Sequence, residues 1–162
     1  GSLAQSAVQA LKDARLCVAT AESLTGGLIA SSMVEVPGAS DVVRGGFVTY
    51  QSVAKTMLLD VPADLIAHYN VVSAEVAVAM AEGARRKLGV DIAVSATGLA
   101  GPGGGTPERP VGTVFLGIAT KEVAYPIALH LSGSRDRIRT LTMKHALNAV
   151  RLEAEKATTE RK

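Results

Sequence analysis

Apolar positions recur at two different spacings along this chain. Leu3, Ala7, Val8 and Leu11 fall at helical intervals and predict a helix over 3–14. The apolar run 16–20 has no polar face and predicts a buried strand. The turn Glu22-Ser23-Leu24-Thr25-Gly26-Gly27 leads to a helix over about 26–34, ended by Pro37-Gly38. Residues 45–50, with Phe47, Val48, Thr49 and Tyr50, predict a second strand. Short helices follow over about 52–59 and 62–68, with Pro62 in the first turn of the second. Val76, Ala77, Met80, Ala81, Ala84 and Leu88 give the strongest helical stripe, over 73–88, with Ser73 as N-cap and Gly89 as its stop. Asp91 to Ala96 predicts another buried strand. A loop over 98–110 holds five glycines and three prolines. Strands over 111–120 and 122–131 flank a tight Thr120-Lys121 turn, and a helix over about 134–156 ends the pattern in a charged tail expected to fray.

Strands alternate with helices through the first two thirds, and a hairpin follows. This order predicts an α/β domain of three layers, α/β/α, with a mixed sheet covered by helices on both faces. No linker or repeat divides the 162 residues, so residues 1–162 are read as one domain, with Gly1-Ser2 as a cloning remnant.

Composition changes the picture little. Seventeen basic against fifteen acidic residues, and only five aromatics, argue against nucleic acid as partner. No apolar run approaches the length of a membrane span. The lone cysteine, Cys17, is read as a small buried core residue in a reducing, cytoplasmic setting. One cysteine and three scattered histidines point to no metal site.

Ligands of α/β sheets bind beyond the carboxyl ends of the strands, so the candidate chemistry is sought there. Ser23 follows the first strand, where it is either a nucleophile beside helix N–H donors or a cap, as is Thr25. Tyr50 and Lys55 lie across the end of the second strand and the following helical turn. A desolvated lysine can act as a base, and the alternative is a surface lysine with a core-edge tyrosine. Thr97, Gly98, Gly101, Gly103 and Gly104 belong to a loop that is either a close backbone approach to a ligand or plain surface. Arg135, Arg137 and Arg139 crowd the start of the last helix, where cations oppose the dipole. They either meet an anion or form a solvated face paired with Asp136.

Seven segments occur in one order: Ala21-Glu22-Ser23-Leu24-Thr25-Gly26-Gly27, Gly46-Phe47-Val48-Thr49-Tyr50, Ala54-Lys55, Val72-Ser73, Thr97 to Gly104, Pro110 to Val114 and Gly133-Ser134-Arg135-Asp136. Over roughly residues 5–150 the chain resembles the CinA C-terminal domain family, the nicotinamide-nucleotide amidases. That resemblance implies hydrolysis of the carboxamide of nicotinamide mononucleotide (NMN) to nicotinate mononucleotide and ammonia, in bacterial pyridine-nucleotide recycling. It implies a three-layer fold, a homodimer or higher homo-oligomer, and no cofactor or metal. Some members carry an N-terminal CinA domain associated with competence and damage induction, for which this chain has no room. Carried over by motif, Ser23 is the nucleophile, Lys55 the base and Tyr50 its partner. Thr25, Gly26 and Gly27 surround the oxyanion, Thr97 to Gly104 hold the nucleotide, and Arg135 or Arg139 meets its phosphate. Leu24 stands where members often have cysteine, and Ser134 where they often have aspartate. The alternative expectation is a non-catalytic nucleotide-binding or regulatory module on the same fold.

Overall fold

The computed structural model describes residues 2–161. Its elements are α1 (Leu3–Ala14), β1 (Val18–Glu22), α2 (Leu28–Val34), a 3-10 turn (Ala39–Asp41), β2 (Val43–Val48), α3 (Ser52–Leu59), α4 (Ala63–Tyr69), α5 (Ala74–Leu88), β3 (Ile92–Gly98), β4 (Thr113–Ala119), β5 (Ala124–His130) and α6 (Arg135–Arg161). The strands form one sheet in the order β2-β1-β3-β4-β5. β1 pairs parallel with β2 and β3, while β4 runs antiparallel to both β3 and β5. The fold is the three-layer α/β/α domain with a mixed sheet that the pattern predicts.

Alternation along β1 builds the layers. Val18 packs into a core shared with α1, α2 and α6, and Ala19 and Ala21 point into a second core with α3 and α5. The chain leaves β1 to reach β2 on one side and returns to β3 on the other. The carboxyl end of β1 is therefore the topological switch point, where the sheet opens a crevice.

Several boundaries differ from expectation. β1 lies two residues further on than predicted, because Ala21 and Glu22 still pair with Phe47 and Val48 of β2. β2 lies two residues earlier, and Thr49 and Tyr50 are left as a turn. α2 starts at Leu28, since Gly26 and Gly27 both have positive φ, at 58° and 103°. Pro62 is the N-cap of α4 and not part of its first turn. α6 continues to Arg161 past the expected end, because buried Ala154 and half-buried Ala157 keep its last turns on the core. Ser2 caps α1: its side chain accepts from the Gln5 N–H and Gln5 reaches back to the Ser2 N–H. Gly1 lies outside the described residues. Cys17 is half-buried, and the Arg44 guanidinium donates to its Sγ at 3.5 Å.

One glycine sets how α3 sits. A Cβ on Gly83 of α5 would stand 2.1 Å from the Leu59 carbonyl oxygen, at the end of α3. Gly83→Ala should therefore destabilise the protein by about 1–3 kcal/mol. The helix-propensity gain of roughly 1 kcal/mol offsets only part of the overpacking. A lower urea midpoint with an unchanged slope is the expected result, and an unchanged midpoint would contradict it.

Candidate active site

Ser23 is the first residue beyond β1. Its N–H donates to the Ala96 carbonyl of β3 at 3.0 Å, which fixes it at the switch point. Lys55 lies in the first turn of α3 and is fully buried. Its Nζ is 2.9 Å from Ser23 Oγ. It also donates to the carbonyl oxygens of Thr49 and, at 3.5 Å, Tyr50. These two carbonyls are open to Lys55 because β2 ends at Val48. No carboxylate forms an ion pair with Lys55 among the described residues. Burial without a counter-charge lowers its pKa from 10.5 to about 8. An amine in that range holds a useful neutral fraction near physiological pH and can accept the proton of a serine hydroxyl at hydrogen-bond distance.

Tyr50 is 62% exposed. Its hydroxyl accepts from Arg135 Nη2 at 3.1 Å and does not pair with Lys55. Tyr50 reaches the Ser–Lys pair through its backbone: its carbonyl is the acceptor for Ser23 Oγ at 3.4 Å. The same Arg135 donates through Nη1 to the Gly101 carbonyl at 2.7 Å. One guanidinium on α6 thus ties the turn after β2 to the glycine-rich loop after β3.

Beneath it lies a cavity of about 340 Å³, with Ser23, Leu24, Tyr50, Thr97, Gly98, Gly101, Gly103 and Arg135 in its wall. Thr97 is held by donation to the Val71 carbonyl at 2.9 Å. Gly98 has no room for a side chain, since a Cβ would lie 2.8 Å from the Thr113 carbonyl oxygen. Gly104 is outside the cavity wall, with a positive φ of 89°. Arg109 closes the flank by donating to the carbonyls of Tyr69 and Val72, at 2.9 and 2.8 Å. Sequence alone offered no signal for it beyond a cation inside a glycine-rich loop.

Three expected ligand contacts are engaged within the protein. Thr25 is fully buried and donates its hydroxyl to Glu22 at 2.7 Å. The Gly26 N–H donates back to the Ser23 carbonyl. Arg139 donates to the carbonyls of Leu24 and Thr25, at 2.8 and 3.1 Å, and so holds the serine turn. Of the arginine cluster, Arg135 is the one in the cavity wall. No ion pair joins Asp136 to it among the described residues.

Glu22 was missed by sequence reasoning. It is fully buried at the end of β1, and its carboxylate accepts from Thr25 Oγ1 and from the N–H groups of Ile29 and Ala30. A charged residue closing an otherwise apolar run is the one signal that marks it. Among the described residues there is no cluster of three or more potential metal ligands, and no helix long and apolar enough to cross a membrane.

Known proteins share this architecture. The family model for the CinA C-terminal domain matches residues 1–154. A CinA-like protein of Citrifermentans bemidjiense is 49% identical over 141 residues, covering 87% of this chain and 34% of the relative. A putative competence-damage inducible protein of Caldanaerobacter subterraneus is 47% identical over 144 residues, covering 89% and 35%. The chain spans about a third of the length of these curated relatives. The crystal structure of the competence/damage inducible protein CihA from Agrobacterium tumefaciens aligns with a TM-score of 0.89 at 38% identity, covering 91% of each chain. That of a competence-damaged protein (CinA) superfamily protein from Escherichia coli aligns at 0.88 and 32%, covering 94% of this chain and 87% of that one. A family match over residues 1–154, with relatives nearly half identical across most of the chain, leads to one conclusion: the protein belongs to the CinA C-terminal domain family.

Proposed function

We propose that this domain is an amidase that hydrolyses the carboxamide of nicotinamide mononucleotide to nicotinate mononucleotide and ammonia. The observation that carries the reading is the buried Lys55 amine 2.9 Å from Ser23 Oγ, with Ser23 in the wall of a cavity at the switch point that Arg135 also lines. Neutral Lys55 takes the Ser23 proton as Oγ bonds to the carboxamide carbon. The Leu24 N–H group makes no hydrogen bond within the described residues and lies in the cavity wall, and it is the donor offered to the oxyanion. The Lys55 ammonium then gives its proton to the departing amine, and the C–N bond breaks to release ammonia. Water attacks the resulting ester and loses a proton to Lys55, which returns it to Ser23 Oγ as the acyl C–O bond breaks and nicotinate mononucleotide leaves.

Arg135 is assigned to the phosphate. Its bonds to Gly101 and Tyr50 use two of five N–H donors, so three remain for an anion. Tyr50 serves as a wall and as the anchor of Arg135 in this scheme. On the family resemblance, the enzyme works without a cofactor in the bacterial cytoplasm, as a homodimer or larger homo-oligomer.

The test is ammonia release from NMN across pH. The rate should rise as Lys55 loses its proton, with a midpoint near pH 8, and level off above it. A chelator should leave it unchanged. Tight NMN binding by well-folded protein with no ammonia at any pH would refute the amidase and favour a nucleotide-binding module.

A further inference from the structure

Two charged side chains are fully buried beside Ser23: Lys55, and Glu22 immediately before it. The proposed chemistry uses the first and leaves the second without a task. We propose that Glu22 is a positioning residue, which fixes the serine turn so that Ser23 Oγ stays over the Lys55 amine. The inference rests on the Ser–Lys reading above and adds a residue to it.

α2 has an unusual start. Its N-cap is Gly27, which has no side chain to offer, so its opening N–H groups need another acceptor. Glu22 supplies it from the neighbouring strand. Oε1 accepts from Ile29 N–H at 2.8 Å and from Thr25 Oγ1 at 2.7 Å, and Oε2 accepts from Ala30 N–H at 3.0 Å. Two backbone N–H groups and one hydroxyl thus converge on the two oxygens of a single side chain.

These bonds straddle the nucleophile. Glu22 belongs to the rigid sheet, paired with Val48 and Ala96, whereas Thr25, Ile29 and Ala30 lie on the far side of the Ser23 turn. The carboxylate therefore clamps both ends of the turn to one point. The turn needs such a clamp because Gly26 and Gly27 give it two freely rotating residues. The helix start is also filled from inside, so a substrate anion is left to Arg135.

The choice of substitution follows from the chemistry. Glu22→Gln keeps the size and offers one acceptor oxygen to three donors, with an amide N–H₂ turned against another N–H. Thr25→Val removes one of the three bonds and keeps the packing.

The experiment measures phosphonylation of Ser23 by a small fluorophosphonate, read as intact mass, beside steady-state ammonia release from NMN. In the labelling step the Ser23 Oγ–P bond forms, the P–F bond breaks, fluoride leaves and Lys55 takes the proton. Glu22→Gln, held well below its own melting temperature, should label roughly tenfold to a hundredfold more slowly. Its kcat should fall in parallel with KM unchanged, and its pH midpoint should stay that of the wild type. Thr25→Val should show a smaller loss of the same kind. Folded Glu22→Gln labelling at the wild-type rate would overturn the inference while leaving the Ser–Lys reading standing. Wild-type protein that never labels at Ser23 would overturn both. Should Glu22→Gln fail to fold, Thr25→Val decides in the same way: a slower rate supports the clamp, and an equal rate refutes it.

Discussion

Ser23→Ala is expected to bind NMN as the wild type does and to release ammonia at least about 10³-fold more slowly. The change removes only Oγ. Lys55 keeps the Thr49 and Tyr50 carbonyls as acceptors, and the turn keeps its bonds from Glu22 and Arg139, so the fold should survive. The Arg135 side of the cavity is untouched, which leaves affinity for the nucleotide in place. Calorimetry and an ammonia assay on the same preparation check both halves. Residual turnover near the wild-type rate would move the nucleophile elsewhere, and loss of binding together with turnover would point to a collapsed cavity.

Lys55→Met should abolish turnover and remove a pH-dependent penalty on the folded state at neutral pH. The unfolded chain holds the Lys55 proton up to about pH 10.5, while the folded chain releases it near 8. The folded state is therefore penalised in full below pH 8. Its stability recovers as pH rises between these values, and the penalty is gone above 10.5. A shift of this size corresponds to roughly 3 kcal/mol. Methionine fills a similar volume and carries no proton. The stability of Lys55→Met relative to wild type should thus fall by roughly 3 kcal/mol, or about 6–12 °C in Tm, between pH 7 and 10.5. Parallel melting curves across that range would show that Lys55 is not desolvated in solution.

Much of this arrangement is legible from residue pattern because it is local. Ser73 and Gly89 delimit α5 as expected, since a cap and a left-handed stop act within a few residues. The two-residue displacements of β1 and β2 cost little, because a strand repeats every two residues and an even shift leaves each side chain on its own face. Ser23 and Lys55 could be picked out because chemistry-bearing residues just past strands stand out. What pattern could not give is long-range. Arg139 finds the carbonyls of Leu24 and Thr25 across the fold, and no local feature tells a helix-start arginine to seek carbonyls and not a phosphate. Tyr50 lies beyond the last paired residue of β2, where alternation no longer dictates direction, so its ring went to Arg135 and its carbonyl to the site. Glu22 hid behind the general rule that charged residues avoid strand interiors, a rule it escapes by meeting three donors.

The seat of Lys55 has a consequence for how the proposed activity would be lost. α3 buries only two side chains, Lys55 and Leu59, and α4 buries none. Such a segment can lift away at a fraction of the cost of unfolding the whole domain. When α3 lifts, the lysine meets water, regains its ordinary affinity for a proton and stops being a base, while the sheet beneath it is still intact. Under the proposed chemistry, mild heating or low denaturant is then expected to cost activity before the sheet unfolds, and the close approach of Gly83 to the Leu59 carbonyl holds the end of α3 against that opening.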